Sequence, residues 1–137
     1  MLHILLVEDN GGDVLLIREA IRNSRVKADV MIAYDGEQAL RLLNEFRFRP
    51  DFVILDLNIP KFSGLEILES HRTSDGPPLV VFTSSVNPYE RSRALELGAK
   101  EYLTKPSNIR EYMQTIQGAL ERWMEVSDET DSTAEGA

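Results

Sequence analysis

The chain has 137 residues, 42% of them apolar and 28% charged, with a formal net charge of −8, the profile of one ordinary globular domain. Fifteen basic residues against 23 acidic ones do not supply the clustered positive charge that holds a phosphate backbone, no apolar run approaches the ~20 residues of a membrane span, and the start MLHILLVEDN lacks the basic region of a signal peptide. Without Cys there is no disulfide framework and no thiolate chemistry, so the expected protein is cytoplasmic and binds neither nucleic acid nor membrane.

Strand and helix patterns alternate from the start. His3 to Val7 is a short apolar run, and residues 13 to 23 carry Val14, Ile17, Ala20 and Ile21 at helical spacing. Ala28 to Ala33 reads as a strand, and Gly36 to Phe46 as a helix with Ala39, Leu40 and Leu43 on one face. Phe52 to Leu55 is the continuous apolar run of a strand buried on both faces, followed by a short helix from Gly64 to His71. Leu79 to Phe82 is the next strand. Pro88 suits a first helical turn and opens a helix to Leu97, which Gly98 terminates. Glu101 to Thr104 is the last strand, and Asn108 caps a final helix to about Val126. Five such strand–helix units without a second core imply an α/β fold, a three-layer, doubly wound sheet of five parallel strands. We adopt for it the flavodoxin-like order 2-1-3-4-5, in which ligands bind outside the carboxyl ends of the strands.

Four of these strands end in reactive polar residues: Glu8 and Asp9, Asp56, Thr83, and Lys105. Brought together, three carboxylates, a hydroxyl and an ammonium suit a divalent cation and a phosphoryl group, because crowded acidic oxygens repel unless a hard cation sits among them. Glu8 and Asp9 taken alone are as well explained as loop carboxylates, with Asp9 or Asp13 capping the first helix. Asp56 is harder to explain as solvated surface. It follows Phe-Val-Ile-Leu, and a carboxylate at the end of a buried strand costs several kcal/mol unless a cation or hydrogen-bond donors compensate it. In the connection LNIPKFS the Asn58 carbonyl is free to bind metal, Pro60 fixes a turn, and Gly64 permits close approach. Thr83 and Ser84 also fit ordinary strand-end hydroxyls. Lys105 opposite Asp56 is a counter-ion for added phosphate, and the Lys105–Pro106 peptide is a candidate for the cis form. Tyr102 alternates with Leu103, so one of the two faces each helical layer. His3 and His71 have no ligand partner at metal spacing.

The ordered set Glu8-Asp9, Asp56 with Pro60 and Gly64, Thr83-Ser84, and Lys105-Pro106 resembles the receiver domain of two-component response regulators over roughly residues 2 to 126. The resemblance implies that Asp56 is the phosphoacceptor and that Asp9, Asp56 and the Asn58 carbonyl hold Mg2+, with Glu8 acting mostly through water. It further implies that Thr83 and Lys105 bond phosphoryl oxygens and that Tyr102 is an aromatic switch. The stretch EDNGGDVLLIREAI is similar to the stand-alone regulators paired with bacteriophytochrome histidine kinases, although Gly11-Gly12 departs from their Pro-containing loop. On this reading the protein is a single-turnover phosphoacceptor more than an enzyme. Its partners are a sensor histidine kinase and a downstream protein target or phosphotransfer protein.

Two rivals share parts of the pattern. Haloacid-dehalogenase-like phosphatases also use a strand-end Asp with Mg2+, but resemble one another in a second Asp two residues on, where this chain has Asn58. A flavodoxin-like FMN binder needs a phosphate loop after the first strand, where Glu8 and Asp9 would repel phosphate. A scaffold that is never phosphorylated leaves the whole polar set unexplained. The acidic stretch 127–137, with Asp128, Glu129, Asp131 and Glu135 and no basic residue, reads as a disordered tail after a receiver domain of residues 1–126, too short and polar to form an output domain. The final helix carries Ile109, Tyr112, Met113, Ile116, Leu120 and Trp123 in one stripe. Its length predicts that Trp123, Met124 and Val126 overhang the sheet and contribute to a homodimer through the fourth helix, fifth strand and fifth helix.

Overall fold

The computed structural model describes residues 1–45, 49–71 and 75–136, with 125–136 described by backbone alone. Ten elements alternate along the chain: β1 (Leu2–Val7), α1 (Gly11–Arg22), β2 (Ala28–Ala33), α2 (Gly36–Leu43), β3 (Phe52–Leu55), α3 (Gly64–Ser70), β4 (Leu79–Thr83), α4 (Pro88–Glu96), β5 (Glu101–Thr104) and α5 (Ile109–Gly136). The strands form one parallel sheet, as the alternating pattern predicts, in the order β2-β1-β3-β4-β5 adopted for it.

Side-chain alternation on the central strands builds two cores. Leu2, Ile4 and Leu6 of β1, Phe52 and Ile54 of β3, and Val80 and Phe82 of β4 face α1 and α5, where they meet Val14, Ile17, Ile21, Tyr112, Ile116 and Leu120. The intervening Leu5, Val7, Val53, Leu55, Leu79 and Val81 face the layer of α2, α3 and α4, meeting Ala39, Ile67, Leu68, Ala94 and Leu97. A strand with apolar side chains on both faces cannot sit at an edge without exposing one of them. β1, β3 and β4 therefore occupy the centre, while β2, whose burial alternates, takes an edge.

The register levels the carboxyl ends of the strands. Val7 pairs with Leu55, Val81 with Leu55, and Thr83 with Thr104, so Glu8, Asp56, Thr83 and Lys105 emerge at one height. Local signals set the helix ends. Asn87 caps α4 with Pro88 in its first turn, Asn108 accepts from the Glu111 amide at 3.0 Å, and Gly98 turns at φ 103° after α4, a conformation that favours glycine.

Some expectations need correction. α1 begins at Gly11 under Asn10, whose side chain accepts from the Asp13 amide, so neither Asp9 nor Asp13 is the cap. α2 ends at Leu43 with Asn44 as its C-cap, and Phe46 lies outside the described residues. The Lys105–Pro106 peptide is trans, as are all peptide bonds among the described residues. The preference of ~0.5–1 kcal/mol for trans meets no opposing turn there, since the Lys105 amide continues the ladder to the Thr83 carbonyl at 2.7 Å. α5 does not end near Val126 but runs to Gly136. Its acidic segment holds no Pro and no Gly before that position, so its polarity marks solvation and not a helix stop. Trp123 and Met124 do not overhang either. Both are partly buried against the core, the indole stacking on Phe52 with centroids 5.8 Å apart and donating to Glu101 at 2.9 Å. The Val126 side chain lies outside the described residues. No described helix is long and apolar enough to cross a membrane.

Candidate functional site

The order of strands puts the topological switch point between β1 and β3, where ligands of such sheets bind outside the carboxyl ends. Asp56, one residue past β3, is 8% exposed. Its amide donates to the Val7 carbonyl at 3.1 Å, which locks it beside β1. Its Oδ1 accepts from the Thr83 hydroxyl at 3.0 Å and the Asn58 amide at 3.0 Å, and its Oδ2 from Lys105 Nζ at 2.9 Å. These donors compensate the desolvation that the buried strand imposes.

Lys105 sits at the centre of the cluster. Its Nζ lies 2.6 Å from Glu8 Oε1, 3.1 Å from Asp13 Oδ2 and 2.9 Å from Asp56 Oδ2, with the lysine side chain only 8% exposed. Burial pushes the Glu8 carboxyl up to about 9, and neighbouring Asp56 adds to the shift against the pull of Lys105. Glu8 Oε2 is buried with no donor against it. Burial works against ionising Asp56, but Glu8, the Asn58 amide and Lys105 hold its carboxyl below the usual range. Burial works against ionising Asp13 too, and the Tyr112 hydroxyl and Lys105 outweigh it. Lys105 is raised well above an ordinary lysine, burial being overcome by its carboxylates.

The sequence-predicted residues are not all equivalent. Glu8, Asp56, Thr83 and Lys105 meet in one hydrogen-bonded group. Asp9 is exposed beside them. Asn58 reaches the group through its amide while its side chain faces solvent. Tyr102 stands at the rim, its hydroxyl donating to the Ser85 carbonyl at 3.2 Å and its ring under Arg91 at 5.7 Å. It faces the α2–α4 layer and Leu103 the other, as alternation requires. The loop from Asp56 to Gly64 is tied at its far side: the Gly36 amide donates to the Pro60 carbonyl at 3.0 Å, and Lys61, at φ 70°, reaches Glu37 at 2.9 Å and Asp35 at 3.5 Å. Asp13 was missed as a site residue. A signal for it exists in the sequence, because Asp13, Ile17 and Ile21 follow at four-residue steps on the face that α1 buries.

The donor set fits a hard divalent cation. All four acids at this end of the sheet offer oxygen, the type of ligand such ions take, and Glu8 carries a buried oxygen without a donor. Lys105 now supplies the compensating charge, and no three acidic or imidazole groups among the described residues are already arranged around a common metal position.

The chain matches the response regulator receiver domain over residues 4–117. It belongs to that family. The transcriptional regulatory protein CpxR of Escherichia coli (strain K12) is 35% identical over 131 residues, covering 94% of this chain and 54% of its own; the chain thus spans about half the length of that relative. Response regulator Rcp1 of Synechocystis sp. (strain PCC 6803) is 34% identical over 130 residues, covering 89% of this chain and 88% of its own. The crystal structure of the Mn2+-bound form of Rcp1 superposes with a TM-score of 0.82, 33% identity and coverage of 90% and 94%. The phosphorylated cyanobacterial phytochrome response regulator RcpA gives a TM-score of 0.82, 35% identity and coverage of 89% and 93%. Response regulators of this family work in two-component signalling through phosphorylation and take their signal from a sensor kinase. Receiver domains bind a divalent metal.

Proposed function

We propose that Asp56 accepts the phosphoryl group from a histidine kinase. The observation that carries this reading is a carboxylate at the end of a fully buried strand, held by Thr83, the Asn58 amide and Lys105. An Asp56 oxygen attacks the phosphorus of a phosphohistidine, forming the acyl phosphate O–P bond as the P–N bond breaks and the imidazole leaves and takes up a proton. Lys105 neutralises charge on the transferring oxygens and the Thr83 hydroxyl donates to one of them, so positioning and electrostatics carry the catalysis. Asp9, Asp56 and the Asn58 carbonyl are the residues that would hold Mg2+, with Glu8 engaging it through water; the ion supplies further charge neutralisation when bound. Water later hydrolyses the acyl phosphate, which makes the protein a single-turnover phosphoacceptor and not a conventional enzyme.

The output follows from what Thr83 touches. Drawing its hydroxyl toward a phosphoryl oxygen releases Ser85, whose amide lies 3.4 Å from Thr83 Oγ1 and whose carbonyl holds Tyr102. The ring is then free to turn inward. The domain of residues 1–126 would act on a downstream target or phosphotransfer protein. RcpA, a cyanobacterial phytochrome response regulator, supports a bacteriophytochrome-type kinase as its partner. A homodimer through α4, β5 and α5 is also proposed, resting on Tyr89, Leu95 and Ile109, which are 71%, 42% and 61% exposed. Acetyl phosphate and Mg2+ should add one phosphate to the intact mass of the parent and none to Asp56→Asn; a phosphorylated Asp56→Asn rejects the assignment.

A further inference from the structure

Lys105 needs to be held in more than one state of the site. A lysine ammonium rides on a flexible four-carbon stem and loses rotamer entropy when fixed. Two of its three carboxylate partners, Glu8 and Asp56, belong to the strand ends where the phosphoryl group arrives, so their contacts to Nζ must change when Asp56 is esterified. The third, Asp13, comes from α1 and lies outside that group. Its Oδ2 faces Nζ at 3.1 Å, while its Oδ1 accepts from the Tyr112 hydroxyl at 2.5 Å.

Tyr112 belongs to α5, is 4% exposed, and meets Phe82 edge-on with centroids 4.9 Å apart. The same Phe82 ring lies 6.0 Å from Lys105 Nζ. One tyrosine therefore fixes both the carboxylate and the ring on this side of the ammonium. We propose that Asp13 is a positioning residue that keeps Lys105 aimed at the phosphoryl position while its bonds to Glu8 and Asp56 are exchanged, and that Tyr112 of α5 holds Asp13 in that role. This rests on Asp56 as the phosphoacceptor. It makes α5 a participant in the chemistry through one hydroxyl, where a purely structural contact between α1 and α5 would affect stability alone.

A double-mutant cycle separates the two. Phosphorylation by acetyl phosphate with Mg2+ is followed by intact mass for the parent, Tyr112→Phe, Asp13→Ala and the double variant, with Mg2+ affinity measured by calorimetry. Tyr112→Phe, which keeps the ring and its packing, should slow phosphorylation about tenfold while Mg2+ affinity stays within about twofold, the scale expected for losing a charge-assisted hydrogen bond. Asp13→Ala should lose as much or more, and adding Tyr112→Phe to it should change nothing further. Asp13→Asn keeps an oxygen for Tyr112 but no charge for Lys105, so it should match Asp13→Ala in rate while melting close to the parent. Parental rates in either single variant, losses that multiply in the double, or a fall in Mg2+ affinity matching the fall in rate would each overturn the proposal. Asp56→Asn is run alongside: phosphate uptake there rejects the acceptor assignment itself, whereas failure of the Asp13 cycle leaves it standing.

Discussion

Replacing Lys105 by Met removes the charge at the centre of the site while keeping an unbranched side chain of similar length. In the absence of metal the parent neutralises Asp13 and Asp56 with one ammonium that is 8% exposed. Breaking a buried pair by deleting one partner costs roughly 3–5 kcal/mol, because the remaining charge is stranded. Three features of this site place the cost at the lower end. Burial favours the neutral form of Glu8, Asp56 keeps its bonds from Thr83 and the Asn58 amide, and Asp13 keeps Tyr112. A loss of about 3 kcal/mol corresponds to a melting temperature roughly 10 °C lower for a domain of this size. Divalent metal should reverse the comparison. In the parent a dication must enter beside an ammonium, and like charges a few ångströms apart repel by several kcal/mol even at an effective dielectric of ~20. Lys105→Met should therefore bind Mg2+ at least about tenfold more tightly, a difference of ~1.4 kcal/mol, and recover most of its stability when saturated. Thermal unfolding in EDTA and in saturating Mg2+, with a calorimetric titration of each protein, measures both effects. A variant that melts within about 2 °C of the parent in EDTA, or binds Mg2+ no more tightly, refutes the view that Lys105 and the metal compete for Asp56 and Glu8.

The remaining predictions concern pH, the acceptor loop and assembly. Glu8 is raised from 4.5 to about 9 on folding, so the stability it contributes is fully present below its unfolded value and is lost as pH rises toward 9; the metal-free protein should melt progressively lower across that range, and Glu8→Gln, a permanent mimic of the protonated acid, should flatten the trend. Asp56, being depressed, acts in the opposite sense and only at acid pH, so it does not mask the effect. Gly36→Ala would place a Cβ 2.2 Å from the Phe62 carbonyl oxygen, an overpacking worth roughly 1–3 kcal/mol that should also slow phosphorylation by displacing the loop after Asp56, whereas Gly11→Ala, with nothing within 4 Å of its Cβ, should be neutral or slightly stabilising by calorimetry. Leu95→Glu on the exposed α4 surface should abolish the dimer in light scattering without lowering the melting temperature; Trp123→Glu is unsuitable, since the stacked indole would report unfolding.

Period and strand-end chemistry carried far because the sheet obeys them closely. Alternation on β1, β3 and β4 assigns each side chain to one of two cores, so four strand ends can be read as one crevice from the sequence alone. Asp56 stands out because nothing apolar explains a carboxylate after four buried residues. The pattern fails where a residue's role depends on where its helix starts. Asp13 looks like a cap when α1 is begun at residue 13, but with Asn10 as cap it falls on the inner face, and only the docking of α5 brings Tyr112 to it. The same limit applies to Trp123, read as overhang from helix length, whose place is decided by Phe52 across the sheet. Both misreadings involve α5, the last element to be placed. Its inner face meets residues from the first half of the chain, at separations of 99 residues for Tyr112 and Asp13 and 97 for Gln117 and Ala20, and no local signal encodes such a meeting. The site thus has two kinds of member: residues delivered by strand ends, which local pattern reveals, and residues delivered by the packing of α1 against α5. Only the second kind connects the phosphoryl chemistry to the helix through which the proposed dimer would form.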